Sequence, residues 1–345
     1  MKIHMKKPRI IIFLLLTAFI ISISLLLTLK PDTVDYKQLT VNYMDIGQGD
    51  SILIESDGKF MLIDAGKASE SDVVISYLKN KGVSTLDYVI WTHPDADHIG
   101  GSAEVMKAFA VKQVLMPHKS HTTKTFYNLL SVIKEKGLKI TSPKAGSAYT
   151  LGASSFVVIA PNRDYEDNNN SSIGIKLIHG NTSFVFIGDA EKESITDMLH
   201  NDIDLKADVL MAGHHGSDTS TTAELLKAVA PDYTVISVGK DNSYDHPAKT
   251  TLELLSNNNI KIYRTDENGT ITASSDGSKI SFSAKEYDFK ASKEDKSKTP
   301  VYITKTGKKY HLADCPYIGH NKLSISLKQA KERDLTPCSK CNPPE

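Results

Sequence analysis

The sequence predicts an α/β protein built in layers, with its chemistry gathered at the ends of strands. Three observations lead there. Apolar runs of strand length alternate with segments whose apolar residues recur at helical spacing. Residues able to grip a cation, namely Asp64, the stretch from His93 to His98, Asp189, His214 and His246, directly follow such runs. Strand ends on one edge of a layered fold converge, so these residues can share one site although they are far apart in the chain.

The chain opens differently. Lys2, Lys6, Lys7 and Arg9 form a basic flank over 1–9, and Ile10 to Leu29 is an uncharged, Ile- and Leu-rich run long enough to cross a bilayer's hydrocarbon core. The flank is expected in the cytoplasm, 10–29 as a transmembrane anchor, and everything after Pro31 outside the membrane. A cleaved signal is the competing reading, but the run is long for one and no small-residue cleavage site precedes Lys30. No Cys follows the run, which argues against a bacterial lipoprotein anchor.

The layered domain is expected over 38–283. Gln38 to Asp45 and Ser51 to Glu55 read as strands joined through Gly47-Gln48-Gly49-Asp50, and Lys59 to Ile63 as a third that ends in Asp64-Ala65-Gly66. Ser71 to Lys81 has Val74, Ile75 and Leu78 at helical spacing and stops at Gly82. A strand from Leu86 to Trp91 then delivers Thr92-His93-Pro94-Asp95-Ala96-Asp97-His98-Ile99-Gly100-Gly101. Helices are expected at 102–110 and 122–136 around a strand at 111–116, followed by strands at 156–159, 173–178 and 184–187. The last of these ends at Gly188-Asp189. Helix 191–200 and strand 208–211 lead to Gly213-His214-His215-Gly216-Ser217. Helix 221–229 and strand 233–238 lead to Ser243-Tyr244-Asp245-His246-Pro247, before a helix at 249–255 and closing strands. Residues 284–299, with five Lys, two Glu and two Asp, read as a linker because so charged a stretch buries little.

With 345 residues, 40% of them hydrophobic, the chain can bury a substantial core, and its formal net charge of +0 implies no whole-molecule attraction to nucleic acid or an anionic surface. Any basic footprint must be local. The three cysteines, Cys315, Cys338 and Cys341, all lie near the C-terminus, and an odd count argues against a simple disulfide framework.

Two imidazoles and two carboxylates within six residues suit a loop that holds divalent cations. In an extended segment alternate residues point the same way, so His93, Asp95 and Asp97 are expected on one face. Two cations a few ångström apart need several ligand atoms and usually a bridging carboxylate, and this inventory supplies them.

The chain also resembles a known family. His93-Pro94-Asp95-Ala96-Asp97-His98, Gly188-Asp189 and Gly213-His214 resemble the metallo-β-lactamase superfamily over residues 38 to 283. Together with Asp45-Ile46-Gly47-Gln48-Gly49-Asp50-Ser51, Ile63-Asp64-Ala65-Gly66, Asn169-Asn170-Ser171-Ser172 and His214-His215-Gly216-Ser217, the match is to the lactamase-like domain of ComEC-type competence proteins. The resemblance implies an αββα sandwich with a dinuclear site that hydrolyses DNA phosphodiesters. It implies a first metal on His93 and Asp95, a second on Asp97, His98 and His214, and Asp189 between them. Asp64 would fix a ligating imidazole, leaving His215 or His246 to contact the substrate phosphate or act as the acid in an in-line attack on phosphorus. Two departures matter: Asp95 stands where a His is usual, and Asn168-Asn169-Asn170 stands where another His would serve the first metal. Fewer imidazoles and more oxygen donors favour manganese, with zinc or magnesium as alternatives, and disfavour an antibiotic-hydrolysing zinc enzyme.

The tail, 300–345, has a second signal. His311 and Cys315, then Cys338-Ser339-Lys340-Cys341, offer one imidazole and three thiols, the pattern of a structural zinc; a Cys338–Cys341 redox pair competes with it. The segment loosely resembles the small metal-binding module of Ada-type DNA-repair proteins, and its eight Lys or Arg against four Asp or Glu make DNA contact an expectation. The reading is a membrane-anchored, extracytoplasmic metal-dependent phosphodiesterase, a nuclease acting on DNA, with a zinc-stapled tail. ComEC-type proteins that move DNA carry many membrane spans and this sequence shows one, so transport is not expected of it. One rival is a hydrolase of another phosphodiester or an ester. The other is a tethered DNA-binding protein with a degenerate metal site.

Overall fold

Strands whose residues are apolar at nearly every position have two faces to bury, and the fold is the layering that this requires. In the computed structural model, which describes residues 37–289, 299–319 and 322–344, two sheets stack between two sets of helices. One sheet comprises β1 (Leu39–Tyr43), β2 (Ile52–Ser56), β3 (Lys59–Ile63), β4 (Thr85–Ile90), β5 (Ala110–Leu115) and β6 (Ile140–Thr141). The other comprises β7 (Ala148–Leu151), β8 (Ser154–Ala160), β9 (Gly174–His179), β10 (Thr182–Phe186), β11 (Val209–Met211), β12 (Tyr233–Ile236) and β13 (Lys261–Arg264). The chain then returns through β14 (Ile271–Ser275) and β15 (Ile280–Phe282), giving the orders β15-β14-β1-β2-β3-β4-β5-β6 and β13-β12-β11-β10-β9-β8-β7.

The period of two sorts each strand's side chains between layers. Val41, Tyr43, Ile52, Ile54, Met61 and Ile63 face the second sheet, where they meet Phe156, Ile175, Leu177, Phe184 and Phe186. Their alternates, Leu53, Leu62 and Val89, face outward to α1 (Ser71–Asn80), α2 (Ala96–Ile99), α3 (Ser102–Ala108) and α4 (Lys124–Glu135). Val185, Leu210 and Ile236 do the same on the far side, beneath α5 (Lys192–His200), α6 (Ala223–Val229) and α7 (Lys249–Asn257). This is the αββα sandwich. Each fully buried Leu or Ile in these layers contributes roughly 1.5–3 kcal/mol of transfer free energy.

Strand β7, not expected from the sequence, is an edge strand whose Ala148 and Thr150 are exposed, so it carries little apolar pattern. The segment read as a linker also begins later than expected. Tyr287 donates its backbone N–H to the Ile262 carbonyl at 2.7 Å and lies under the Arg264 guanidinium, 4.5 Å from the ring centroid, while Phe289 is buried beside α7. Two aromatics amid the charges suffice to dock 284–289 on the domain. The proposed anchor, 10–29, lies outside the described residues; among those, no helix is long and apolar enough to cross a membrane.

The tail has its own short sheets. β16 (Pro300–Ile303) pairs with β18 (Leu323–Ser326), and β17 (Lys309–Tyr310) with β19 (Thr336–Pro337). Helix α8 is the short Thr265–Asn268 turn after β13, and α9 (Leu327–Glu332) is fixed at its start by a capping box. There the Ser326 hydroxyl accepts from the Gln329 N–H and the Gln329 side chain accepts from the Ser326 N–H. One buried cluster of the tail is Val301, Ile303, Tyr310, Leu327 and Ala330.

Candidate metal centre

Five residues with cation-binding chemistry follow strands: Asp64 follows β3, His93 follows β4, Asp189 follows β10, and His214 and His215 follow β11. Strands β3 and β4 run parallel, as do β10 and β11, so their C-terminal ends open on the same rim. Close packing of backbone fixes the rim. Gly101 donates its N–H to Gly66 O at 3.0 Å, and a Cβ on Gly101 would stand 2.4 Å from Ala65 O, which leaves room for no other residue.

At the centre a single oxygen, Asp189 Oδ2, is faced by four imidazole Nε2 atoms: His98 at 3.3 Å, His214 at 3.7 Å, His93 at 3.8 Å and His215 at 3.9 Å. Three of these rings are held from behind. His98 places Nδ1 2.8 Å from Asp64 Oδ2, and the buried Asp64 also accepts the Thr92 N–H and hydroxyl. His215 directs Nδ1 at the Ser237 carbonyl (3.1 Å) and Asp50 Oδ1 (3.3 Å). Thr92 Oγ1, its hydrogen already given to Asp64, is left to accept from His93 Nδ1 at 3.1 Å. Each ring thereby keeps Nε2 for the centre. His93 Nε2, His215 Nε2 and Asp189 Oδ1 are buried without a hydrogen-bond partner among the described residues. Buried polar atoms are rarely left so, and a donor set of imidazole nitrogens and carboxylate oxygens fits divalent cations.

Charge reinforces the geometry. Burial alone would raise the Asp189 carboxyl, but His98, His215 and His93 outweigh it and hold the group well below the usual carboxylate range. Burial would lower His98 and His215; instead Asp189 and Asp64 lift His98 well above its ordinary value, and Asp189, Asp50 and Asp97 bring His215 to about 10. His93, buried beside His98, is pushed down to about 4. Before a cation binds at neutral pH, then, His98 and His215 hold protons at Nε2 and His93 does not. Cation binding must release those protons, so apparent affinity should rise with pH from acid through neutrality. Calorimetry of metal binding in buffers of different ionisation enthalpy should report that release.

The structure rearranges several sequence-based expectations. His93, Asp95 and Asp97 do not share one extended face, because the chain turns helical at Ala96 and carries Asp97 and His98 on α2. It is His215, not His214, whose Nε2 reaches Asp97 Oδ2, at 3.6 Å, and Asp97, His98 and His215 form one potential ligand group. Two consecutive left-handed residues, His214 (φ 50) and His215 (φ 54), turn His215 into the interior. That burial removes it from contact with a substrate phosphate. His214 is swung to the mouth, its Nδ1 3.2 Å from Glu191 Oε1 and its ring 5.5 Å from that of His246. His246 lies below the ordinary histidine value, first through burial and then through His214 and His215. A neutral ring suits holding substrate better than donating a proton. Asp95 stands at the rim, 3.8 Å from His93 Nε2, where it accepts from Asn168 Nδ2 at 2.6 Å. Asn170 is inside the scaffold: its Oδ1 accepts the N–H groups of Glu191 and Ser194 at the start of α5.

Asp50 was given no role from the sequence. It is buried, and it joins Asp189 and His215 in a further potential ligand group; its carboxyl is raised, by burial above all. Its place after Gly47-Gln48-Gly49 does not set it apart in the sequence from an acid in a solvated turn; its burial against His215 does.

A family model of the metallo-beta-lactamase superfamily matches residues 44–240. The chain belongs to that superfamily. As a metallo-β-lactamase superfamily hydrolase it has curated relatives named for competence and recombination. ComE operon protein 3 of Bacillus subtilis (strain 168) is 34% identical over 250 residues, which are 67% of this chain and 32% of that protein. Competence protein ComA of Neisseria gonorrhoeae is 27% identical over 255 residues, 70% of this chain and 33% of that protein. Recombination protein 2 of Haemophilus influenzae is 29% identical over 231 residues, 64% and 27% of the two. The domain is thus of the ComEC lactamase-like type, and the chain spans about a third of the length of the first two of these relatives. Among solved structures, the metallo-β-lactamase fold protein YhfI of Bacillus subtilis is 15% identical, with a TM-score of 0.46 over 66% of this chain and 96% of that one.

The tail holds a separate cluster. One ligand atom from each of His311, Cys315, Cys338 and Cys341 lies within 4.8 Å of every other, and no disulfide joins the thiols. His311 Nδ1 stands 3.2 Å from Cys315 Sγ. The backbone N–H groups of Lys340 and Cys341 lower the Cys338 thiol, as suits a thiolate ligand.

Proposed function

We propose that this chain is a membrane-anchored, extracytoplasmic metal-dependent phosphodiesterase that cuts DNA. The observation that carries the reading is the one oxygen, Asp189 Oδ2, faced by four imidazoles, the arrangement a carboxylate shared between two cations needs. His93 with Asp95 would hold one cation and Asp97, His98 and His215 the other, each with Asp189. Two divalent cations bound there would supply an acidified water and neutralise charge on phosphoryl oxygens. The chain's own residues do the rest. Asp64 and the Ser237 carbonyl hold the imidazoles in register, burial strengthens every charge interaction inside, and His214 and His246 stand at the mouth to hold a substrate phosphate. DNA as substrate is supported by relatives named for competence and recombination, and by the tail's local excess of positive charge. The apolar run 10–29 behind a basic flank supports the anchor and the extracytoplasmic placement.

Manganese is the proposed native metal, because Asp95 and Asn168 replace imidazoles at the first cation. Asn168→His should shift the preference towards zinc, read as metal content and as the ratio of activities with the two ions. The full chain, extracted in detergent and loaded with manganese, should nick plasmid DNA. Cleavage of a small phosphodiester with plasmid left intact would sink the nuclease reading.

A further inference from the structure

Beside the metal centre the loop from Lys240 to His246 carries an aromatic ring into solvent. Tyr244 is 62% exposed. The loop that bears it is clamped by one side chain. Asn242 donates to the carbonyls of Gly239 (2.9 Å) and His246 (2.6 Å), and its Oδ1 accepts the N–H groups of Tyr244 and His246, both at 3.1 Å. The ring's exposure is therefore built into the loop. Tyr244 stacks on His246, with centroids 5.7 Å apart and planes at 26°; His246 meets His214 at 5.5 Å, and His214 Nε2 is 3.7 Å from Asp189 Oδ2. A ladder of rings thus runs from solvent to the potential metal ligands. Below it is a cleft of about 860 Å³ lined in part by Lys240, Asp241, Asp245, His246 and Lys249, within the size range of small-molecule sites. Its cations, Lys240, Lys249, Lys331 and Arg264, are opposed by Asp241, Asp245, Asp266 and Glu267, so charge alone does not select an anion there. A flat π-face next to the reacting centre does select.

We propose that Tyr244 is a stacking platform for an unpaired nucleobase of the strand being cut, which makes a single-stranded or frayed nucleic acid the preferred substrate; the inference rests on the nuclease reading above. A phosphodiester held beside Asp189 brings its flanking base to the level of Tyr244. In a duplex that base is already stacked and paired, and its face is not available. Stacking on an aromatic side chain tolerates any base, so the platform gives strand-state preference without sequence preference.

The test uses the full chain and a dye-labelled, single-stranded phosphorothioate oligonucleotide that resists cutting, with fluorescence anisotropy as the readout. Tyr244→Ala should weaken binding by about tenfold and Tyr244→Phe should restore it. An abasic strand of the same length should bind wild-type protein as weakly as the normal strand binds Tyr244→Ala, an arm that needs no variant to fold. With a cleavable strand, Tyr244→Ala should raise KM while kcat moves much less. Equal binding of the abasic and normal strands to wild type, or unchanged binding by a folded Tyr244→Ala, overturns the platform. The two readings separate cleanly. Tyr244-dependent binding with no cleavage under any metal leaves the platform standing and removes the nuclease, whereas cleavage indifferent to Tyr244 does the reverse.

Discussion

Asp189→Ala is expected to lower hydrolysis by about a thousandfold and to leave the main domain with at most one bound cation. In the proposed arrangement the carboxylate is the group that both cations share, and it carries the negative charge that faces His93, His98 and His215. Losing a cation forfeits several kcal/mol of transition-state stabilisation, and each 1.36 kcal/mol is a factor of ten. Asp64→Asn should act differently. Asp64 touches no potential substrate; it aims His98 through Nδ1 and ties Thr92 by two hydrogen bonds. Replacing a partner of that kind costs roughly 10- to 100-fold in metal affinity, so excess metal should restore most of the activity of Asp64→Asn and none of that of Asp189→Ala. Metal content by mass spectrometry beside initial rates checks both. Equal losses in the two variants, with neither rescued, would remove the distinction drawn between holding the cations and aiming a ligand.

We expect the His311, Cys315, Cys338 and Cys341 cluster to hold zinc, and removal of that metal to unfold the tail while leaving the sandwich intact. Among the described residues the tail buries Val301, Ile303, Tyr310, Leu327 and Ala330 in one cluster and Ile318 with Cys315 and Cys338 in another, too little apolar area to order some forty residues. Four ligand atoms within 4.8 Å of one another supply what is missing. Structural zinc in such units contributes roughly 10–16 kcal/mol of apparent folding free energy at neutral pH. Cys338→Ser, or a thiol reagent that expels the metal, should therefore release one zinc and open the tail to protease by orders of magnitude. Thermal unfolding of the main domain should shift little, because three separate apolar layers hold it. A tail that stays protease-resistant after losing its metal would show that the cluster is not its staple.

How far the site could be read from the sequence differed from residue to residue. The cluster from His93 to His98, with Asp64, Asp189 and the histidine pair, was visible because four ligand-type residues in six positions, each group after an apolar run, has no bland explanation. Asp50 was harder: one acid at the end of a glycine turn looks like any solvated loop, and only its burial against His215 distinguishes it. The linker was misplaced at its start because composition averages over a segment, whereas Tyr287 and Phe289 dock through two particular side chains.

By itself the sequence determined the layered α/β class and most of the side chains that meet, since periodicity and residue chemistry are local properties that survive into any fold of the chain, while the sandwich was implied by the family resemblance. Only the tertiary structure decided which of two adjacent histidines turns inward. The left-handed backbone at His214 and His215 sends one ring to Asp97 and the other to Glu191 and His246, a choice that a change of a few dihedral angles makes and no residue type announces. The same holds for Asp95 and Asp97, which the start of α2 at Ala96 places on different sides of the centre. Residue type supplied the ligands. The backbone, packed around Gly101 and the strand ends, assigned their places.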